Sequence, residues 1–180
     1  MATPQLTAKQ VAQVSGLVAQ YIAGQRDRYA PRAVALSAPQ RNVMGGFFSP
    51  QLLDGTRLLV LQRERVGNPE FYPMLRAMGF YNLPDQSTMG AITFSDVVVS
   101  HAPFSSELLF HELVHVEQYR QLGVPRFAEL YVRGFLSGGS YEAIPLEMHA
   151  YTLEGRFHAD QKKQFSVAAE LARWMAEGKL

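Results

Sequence analysis

The stretch SSELLFHELVHVEQYRQLG, Ser105 to Gly123, decides how the rest of the chain is read. From Leu108 to Val116 every residue is apolar except His111, Glu112 and His115. Ser105 or Ser106 can cap a helix here, and Gly123 and Pro125 can stop it, so the spacing predicts a helix to about Leu122. Residues four apart on a helix differ by roughly 40° in direction, so His111 and His115 leave the same face. Two imidazoles so placed can each give a ring nitrogen to one zinc ion. Glu112, beside the first histidine, can reach a water on that ion. This is the His-Glu-x-x-His arrangement in the helical context it requires. A lone histidine on an apolar face is ordinarily satisfied by a backbone carbonyl. An ionised carboxylate, in contrast, is very costly to bury without a partner. The trio therefore reads as a metal site rather than as packing.

A catalytic zinc keeps one position for water, so a third protein ligand is needed. Gln118 and Gln121 stand where an elongated His-Glu-x-x-His-x-x-Gly-x-x-His site would place glycine and histidine, which excludes that class. The absence of cysteine removes thiolate ligands, cysteine nucleophiles and disulfides. The best-placed ligand is Glu147, in SYEAIPLEMHAYTLEGRF, Ser140 to Phe157. Pro145 pre-sets the first turn of a second helix, and Glu147 falls in that turn. It follows His115 by 32 residues, enough for the chain to reverse. Glu147, Ala150, Tyr151 and Glu154 share one face, and small Ala150 allows close approach. Glu142, His101, His149 and His158 are the other candidates.

Composition is that of an ordinary globular chain: 180 residues, 47% hydrophobic, 18% charged and a net charge of +1. The basic residues are scattered, which leaves no electrostatic footprint for nucleic acid or an anionic membrane. No apolar run reaches the length of a membrane span. The N-terminus MATPQLTAKQVAQVSG lacks the apolar core of a signal peptide. The expectation is a soluble, cytoplasmic chain as given, with export open if a leader has been removed.

Outside the central helix, Thr7 to Arg28 has helical spacing, with Val11, Val14, Leu17, Val18, Tyr21 and Ile22 on one stripe. Pro31, Pro39 and GGFFSP mark an irregular segment, and Thr56 to Gln62 reads as a buried strand. NPEFYPMLRAMG predicts a short helix ending near Gly79, with Asn68 as cap and Pro69 in the first turn. Ala91 to Ser100 is rich in β-branched residues and reads as one strand. A helix is predicted around Phe127 to Phe135, and the loop SGGS follows from Ser137 to Ser140. The helical region opened by Pro145 can break at Gly155. Phe47, Phe48 and Trp174 are assigned to the core, and the terminal stripe FSVAAELARWMAEG to core packing or self-association. The fold class is α+β: a mostly helical single domain over residues 1–180, with a small sheet beside the metal helix. Within it, residues 1–90 form an N-terminal helix and an irregular or strand region, 91–157 the metal-site core, and 158–180 a C-terminal helix.

The segment AITFSDVVVSHAPFSSELLFHELVHVEQYRQLG together with IPLEMHAYTLE resembles small bacterial gluzincin-like zinc metalloproteases, compact single-domain members among them. There a strand precedes a helix carrying His-Glu-Leu-x-His-Val-x-Gln, and a later helix carries Pro-x-Glu-x-x-Ala-Tyr. The resemblance covers about Ala91 to Phe157 and implies a zincin-like fold. It implies that His111, His115 and Glu147 bind zinc and that Glu112 is the general base of a peptidase. His149 departs from the pattern, standing where relatives often carry a second acidic residue.

For a peptidase, a donor near the developing oxyanion is also needed. Tyr119, Tyr131, Tyr141 and Tyr151 are close in sequence, with Tyr141 or Tyr151 the better placed. Glu154 or Asp160 can orient a liganding imidazole through its second nitrogen. If the strand Ala91–Ser100 forms a sheet edge above the metal, an extended peptide substrate can dock by strand addition. The competing class is a non-catalytic or latent zinc-binding domain acting as a structural or interaction module. A di-iron site would need a second Glu-x-x-His, which the chain lacks.

Overall fold

The computed structural model describes residues 5–138 and 140–179. Residues 1–4 of the N-terminal segment and Gly139 of the expected SGGS loop lie outside them. The first helix, α1, is Ala8–Tyr29, opened by a capping box in which Thr7 and Gln10 satisfy each other's backbone N–H groups. After the two-residue strand β1, Val34–Ala35, two short helices replace the irregular segment expected from the prolines: α2, Ala38–Met44, and α3, Pro50–Gly55. The prolines are the reason the helices start where they do. Pro39 and Pro50 sit in first turns, where the missing N–H costs nothing, behind the caps Ser37 and Ser49.

Strand β2, Arg57–Val60, leads to helix α4, Tyr72–Ala77. This helix starts later than expected, with Pro73 rather than Pro69 in its first turn. Asn68 does not cap it. Its amide accepts from the Gln86 N–H at 2.8 Å and donates to Asp85 at 3.1 Å, tying two loops together. The expected single strand is a hairpin, β3 Ala91–Phe94 and β4 Val97–Ser100, turning at Ser95, whose φ is 62°. Ser-Asp is not a sequence signature for a tight turn, so the β-branched residues on either side read as continuous. Arg26 of α1 grips Asp96 in that turn with two hydrogen bonds of 2.8 and 3.0 Å. Both side chains are about 40% exposed, so the pair adds about 1 kcal/mol at most.

The strand order is β1-β2-β4-β3, with β2 and β4 parallel and both outer pairs antiparallel. Central β4 is buried at every residue, and β3 is an edge. The His101 N–H donates to the Gly90 carbonyl at 2.9 Å. Antiparallel alternation then points the backbone groups of Ala91 and Thr93 away from β4.

Helix α5, Ser106–Gly138, runs through the two larger apolar cores and is bent at Gly123, where φ 73° and ψ 159° suit only glycine. The half after the bend contains the expected Phe127–Phe135 helix and continues through Ser137 and Gly138, the first half of the expected loop. Helix α6, Pro145–Ala159, passes through Gly155 without a break, and α7, Val167–Ala176, closes the chain. Phe110 of α5 stacks on Phe157 of α6 at 4.4 Å, and Phe47 meets both rings edge-on. Phe47 and Phe48 are core residues as expected, and Trp174 packs on the margin of the same core. The architecture is α+β, and no described helix is long and apolar enough to cross a membrane.

Candidate metal centre

The Ser105 hydroxyl accepts from the Leu108 N–H at 3.1 Å and starts the helix that presents His111, Glu112 and His115. All three side chains are buried. At the other wall, Pro145 starts α6 and Glu147 lies in its first turn, also buried. The two helices meet closely there because Gly134 of α5 has no side chain. A β-carbon at Gly134 would stand 2.7 Å from the Pro145 ring and 3.2 Å from the Ile144 side chain.

The two histidine Nε2 atoms are 3.2 Å apart. Glu147 Oε2 lies 3.5 Å from that of His111 and 3.3 Å from that of His115. Nitrogen and oxygen ligands about 2.0–2.1 Å from a tetrahedral zinc stand about 3.3–3.4 Å from one another. The triangle formed by the three side chains therefore has the size a zinc ion requires. Glu147 Oε2 is buried and makes no hydrogen bond, although it faces two ring nitrogens. A cation shared by all three groups would remove that deficit, as would a proton on either ring nitrogen facing it.

The opposite ring nitrogens are held. His111 Nδ1 is 3.0 Å from a Glu154 carboxylate oxygen, and His115 Nδ1 is 2.8 Å from the Gln118 side-chain oxygen. Each contact favours hydrogen on Nδ1, which makes Nε2 the atom that can bind a metal once it carries no proton. Gln118 also donates to the Leu146 carbonyl at 2.9 Å, so one side chain orients a histidine and fastens the start of α6. Of the two expected orienting carboxylates, Glu154 is in place. Asp160 instead closes the end of α6 and accepts the Lys162 N–H.

Electrostatics follow from this packing. Burial opposes charge on His111, but Glu147 and Glu154 outweigh it and hold its pKa up to about 10. Burial likewise opposes charge on His115, and Glu147 overcomes it. Glu147 is pushed below the usual carboxylate range because the two imidazoles outweigh its own desolvation. Glu112 goes the other way. Burial raises it, against the pull of His115 and His111. Its Oε2 accepts a 2.6 Å hydrogen bond from the Thr93 hydroxyl of β3, which fixes the carboxylate beside the ligands.

A cavity of about 100 Å³ opens beside the triangle, lined by Glu112, His115 and Glu147 and bounded by β3 on one side and Val18, Tyr21 and Ile22 of α1 on another. The two tyrosines favoured from the sequence separate here. Tyr141 lines the cavity together with Tyr131, and burial and the Glu147 charge push its phenol far up. Tyr151 packs on the His111 ring at 4.6 Å and is 49% exposed, outside the cavity wall. Tyr119 lines the cavity, but its hydroxyl donates to the Thr93 carbonyl at 3.4 Å.

The other ligand candidates lie elsewhere. Glu142 is exposed. His101 bridges the Met89 carbonyl and the Val66 N–H. His149 stacks on Trp174 at 4.3 Å, and the exposed His158 side chain lies 3.7 Å from Glu107. Thr93 and Gln118 were missed as site residues. Thr93 is indistinguishable by type from the strand formers around it. Gln118, a fully buried polar residue one turn after His115, was the detectable signal. Comparison with family models, with curated proteins and with solved structures gave no match, so the geometry of the site itself carries the functional reading.

Proposed function

We propose that this chain is a zinc-dependent metallopeptidase. The observation that carries the reading is the convergence of His111 Nε2, His115 Nε2 and Glu147 Oε2 on one point, with the buried Glu112 carboxylate beside it at the wall of a cavity. The three ligands would hold the ion, which when bound supplies Lewis acidity towards water and towards a substrate carbonyl. Glu112 is the proton acceptor. Its pKa is raised by burial, so it takes a proton more readily than an exposed glutamate, and Thr93 holds its orientation. The same carboxylate returns that proton to the leaving amine. Tyr141, on the cavity wall, donates to the developing oxyanion, with Tyr131 beside it. Edge strand β3 directs the backbone groups of Ala91 and the N–H of Thr93 away from the sheet, where an extended peptide can pair, while the Thr93 carbonyl is taken by Tyr119.

The second reading is a latent or non-catalytic metal-binding domain. It is favoured by α1, which lines the cavity and packs against β3, the strand a peptide would pair with. Hydrolysis of unfolded protein separates the two. The zinc-loaded chain is expected to cleave a quenched-fluorescent casein, with the activity removed by a chelator and absent from Glu112→Gln. A zinc-loaded wild type with no more cleavage than Glu112→Gln would remove the catalytic reading and leave the latent one.

A further inference from the structure

Gln86 is a buried carboxamide in the wall of the metal cavity, carried by the short 3-10 turn Gln86–Thr88 that leads towards β3. Its backbone is pinned from two sides. The Asn68 side-chain oxygen accepts the Gln86 N–H at 2.8 Å, and the Asp85 carboxylate accepts from the Ser87 N–H and hydroxyl at 3.1 and 2.7 Å. The side chain is held far more loosely. Among the described residues its amide meets only the Tyr72 hydroxyl, at 3.4 Å. Tyr72 gives its own proton to the Pro84 carbonyl at 3.0 Å, so its oxygen can only accept, and the glutamine nitrogen must be the atom that faces it. That orientation leaves Oε1 without a donor among the described residues, on the wall of the cavity. A polar side chain this buried ordinarily has its acceptor satisfied.

Neighbouring walls repeat the pattern. Tyr21 donates to the Gly67 carbonyl at 2.7 Å and Tyr119 to the Thr93 carbonyl at 3.4 Å, so these hydroxyls also offer the cavity only lone pairs. Among the described residues no lysine or arginine lines it. A group that brings hydrogen-bond donors is met there, whereas an apolar group leaves the acceptors unpaired. The donor is uncharged. Glu112 and Glu147 are committed to the base and the ligand set, and an ammonium or guanidinium held against neutral oxygens would lose its hydration uncompensated. A carboxamide matches both ends of Gln86, its NH2 donating to Oε1 and its carbonyl accepting from Nε2. We propose that Gln86 is a specificity-determining residue of the site, pairing with the side-chain carboxamide of an asparagine or glutamine near the bond to be cleaved. The proposal rests on the peptidase reading and adds to it a substrate class.

The test uses the zinc-loaded full chain and its Gln86→Leu variant, whose stoichiometric zinc shows that it has folded. Casein is digested and the cleavage sites are mapped by mass spectrometry. Asparagine and glutamine are expected to be enriched in the wild-type sites at one position fixed relative to the cleaved bond. Two synthetic peptides that differ only in glutamine or methionine at that position then isolate the contact. Wild type is expected to favour the glutamine peptide about 10- to 100-fold in kcat/KM. In Gln86→Leu the ratio is expected to fall close to one, with the loss confined to the glutamine peptide. If wild type cleaves casein without such enrichment, or if the preference persists in Gln86→Leu, the proposal is wrong and the peptidase reading stands. Equal losses on both peptides would show that Gln86 serves the peptide backbone or the fold, and would overturn it as well. If the zinc-loaded wild type cleaves no casein, the peptidase reading falls and takes the proposal with it.

Discussion

At the scale of single residues, the candidate metal site is held in shape by side chains outside the three proposed ligands. Gln118 holds the Nδ1 proton of His115 and the Leu146 carbonyl at once. Gln118→Leu leaves both groups buried and unpaired, so zinc affinity is expected to fall about 10- to 100-fold, with the larger part of the loss restored in Gln118→Glu. Competition with a chromophoric chelator reads this directly, and an unchanged affinity would show that His115 needs no such partner. Protonation gives a second test. In the metal-free site the His111 pKa stands at about 10, so the ring is charged at neutral pH and must lose its proton before Nε2 can bind an ion. Zinc binding at pH 7 is therefore expected to release at least one proton, and affinity to rise about tenfold per pH unit as long as a single proton is displaced. Calorimetry in buffers of different ionisation enthalpy measures the released proton, and identical heats in all of them would contradict it. Legibility at this scale followed chemistry. A histidine pair and a glutamate in an apolar helix stand out because burying them is costly, whereas Thr93 looks in the sequence like any other strand threonine.

At the scale of elements, the candidate metal centre is the meeting of α5 and α6, and its spacing is set by glycine. Gly134→Ala would place a methyl group 2.7 Å from the Pro145 ring and push away the turn that carries Glu147. A loss of about 1–3 kcal/mol in stability is expected, together with weaker zinc binding. Gly155 is the control, being helical with open space for 4 Å around the point where a β-carbon would stand. Gly155→Ala is expected to stabilise by about 0.5–1 kcal/mol. Denaturant titration of the two variants checks the pair, and equal effects would show that the helices do not meet as tightly as described. The elements also show where sequence reading stops. Caps and prolines mark helix starts well, as Thr7, Ser105 and Pro145 do. The same signals at Ser37–Pro39 and Ser49–Pro50 were obscured by neighbouring prolines and glycines that suggested loops. The hairpin at Ser95 and Asp96 was invisible because its positive φ is borne by a serine and its turn is held by Arg26, 70 residues away.

At the scale of the whole molecule, the ion would link two helices through His115 and Glu147, ligands 32 residues apart in the sequence, and ligand binding to the folded state alone must then stabilise it. Zinc at a hundred times its dissociation constant is expected to add about 2.7 kcal/mol, which raises Tm by about 5–10 °C in a chain of this size and is reversed by a chelator. The α+β class was readable from the alternation of apolar stripes and β-branched runs. How α1 and α4 wall the cavity was not, because it depends on packing between segments with no pattern in common. The most direct measurement is the zinc content of wild type, Glu112→Gln and Glu147→Ala, purified together and analysed by elemental mass spectrometry. One zinc per chain is expected in wild type and in Glu112→Gln, and much less in Glu147→Ala. A wild type without metal would contradict the site itself, and full zinc in Glu147→Ala would contradict its third ligand.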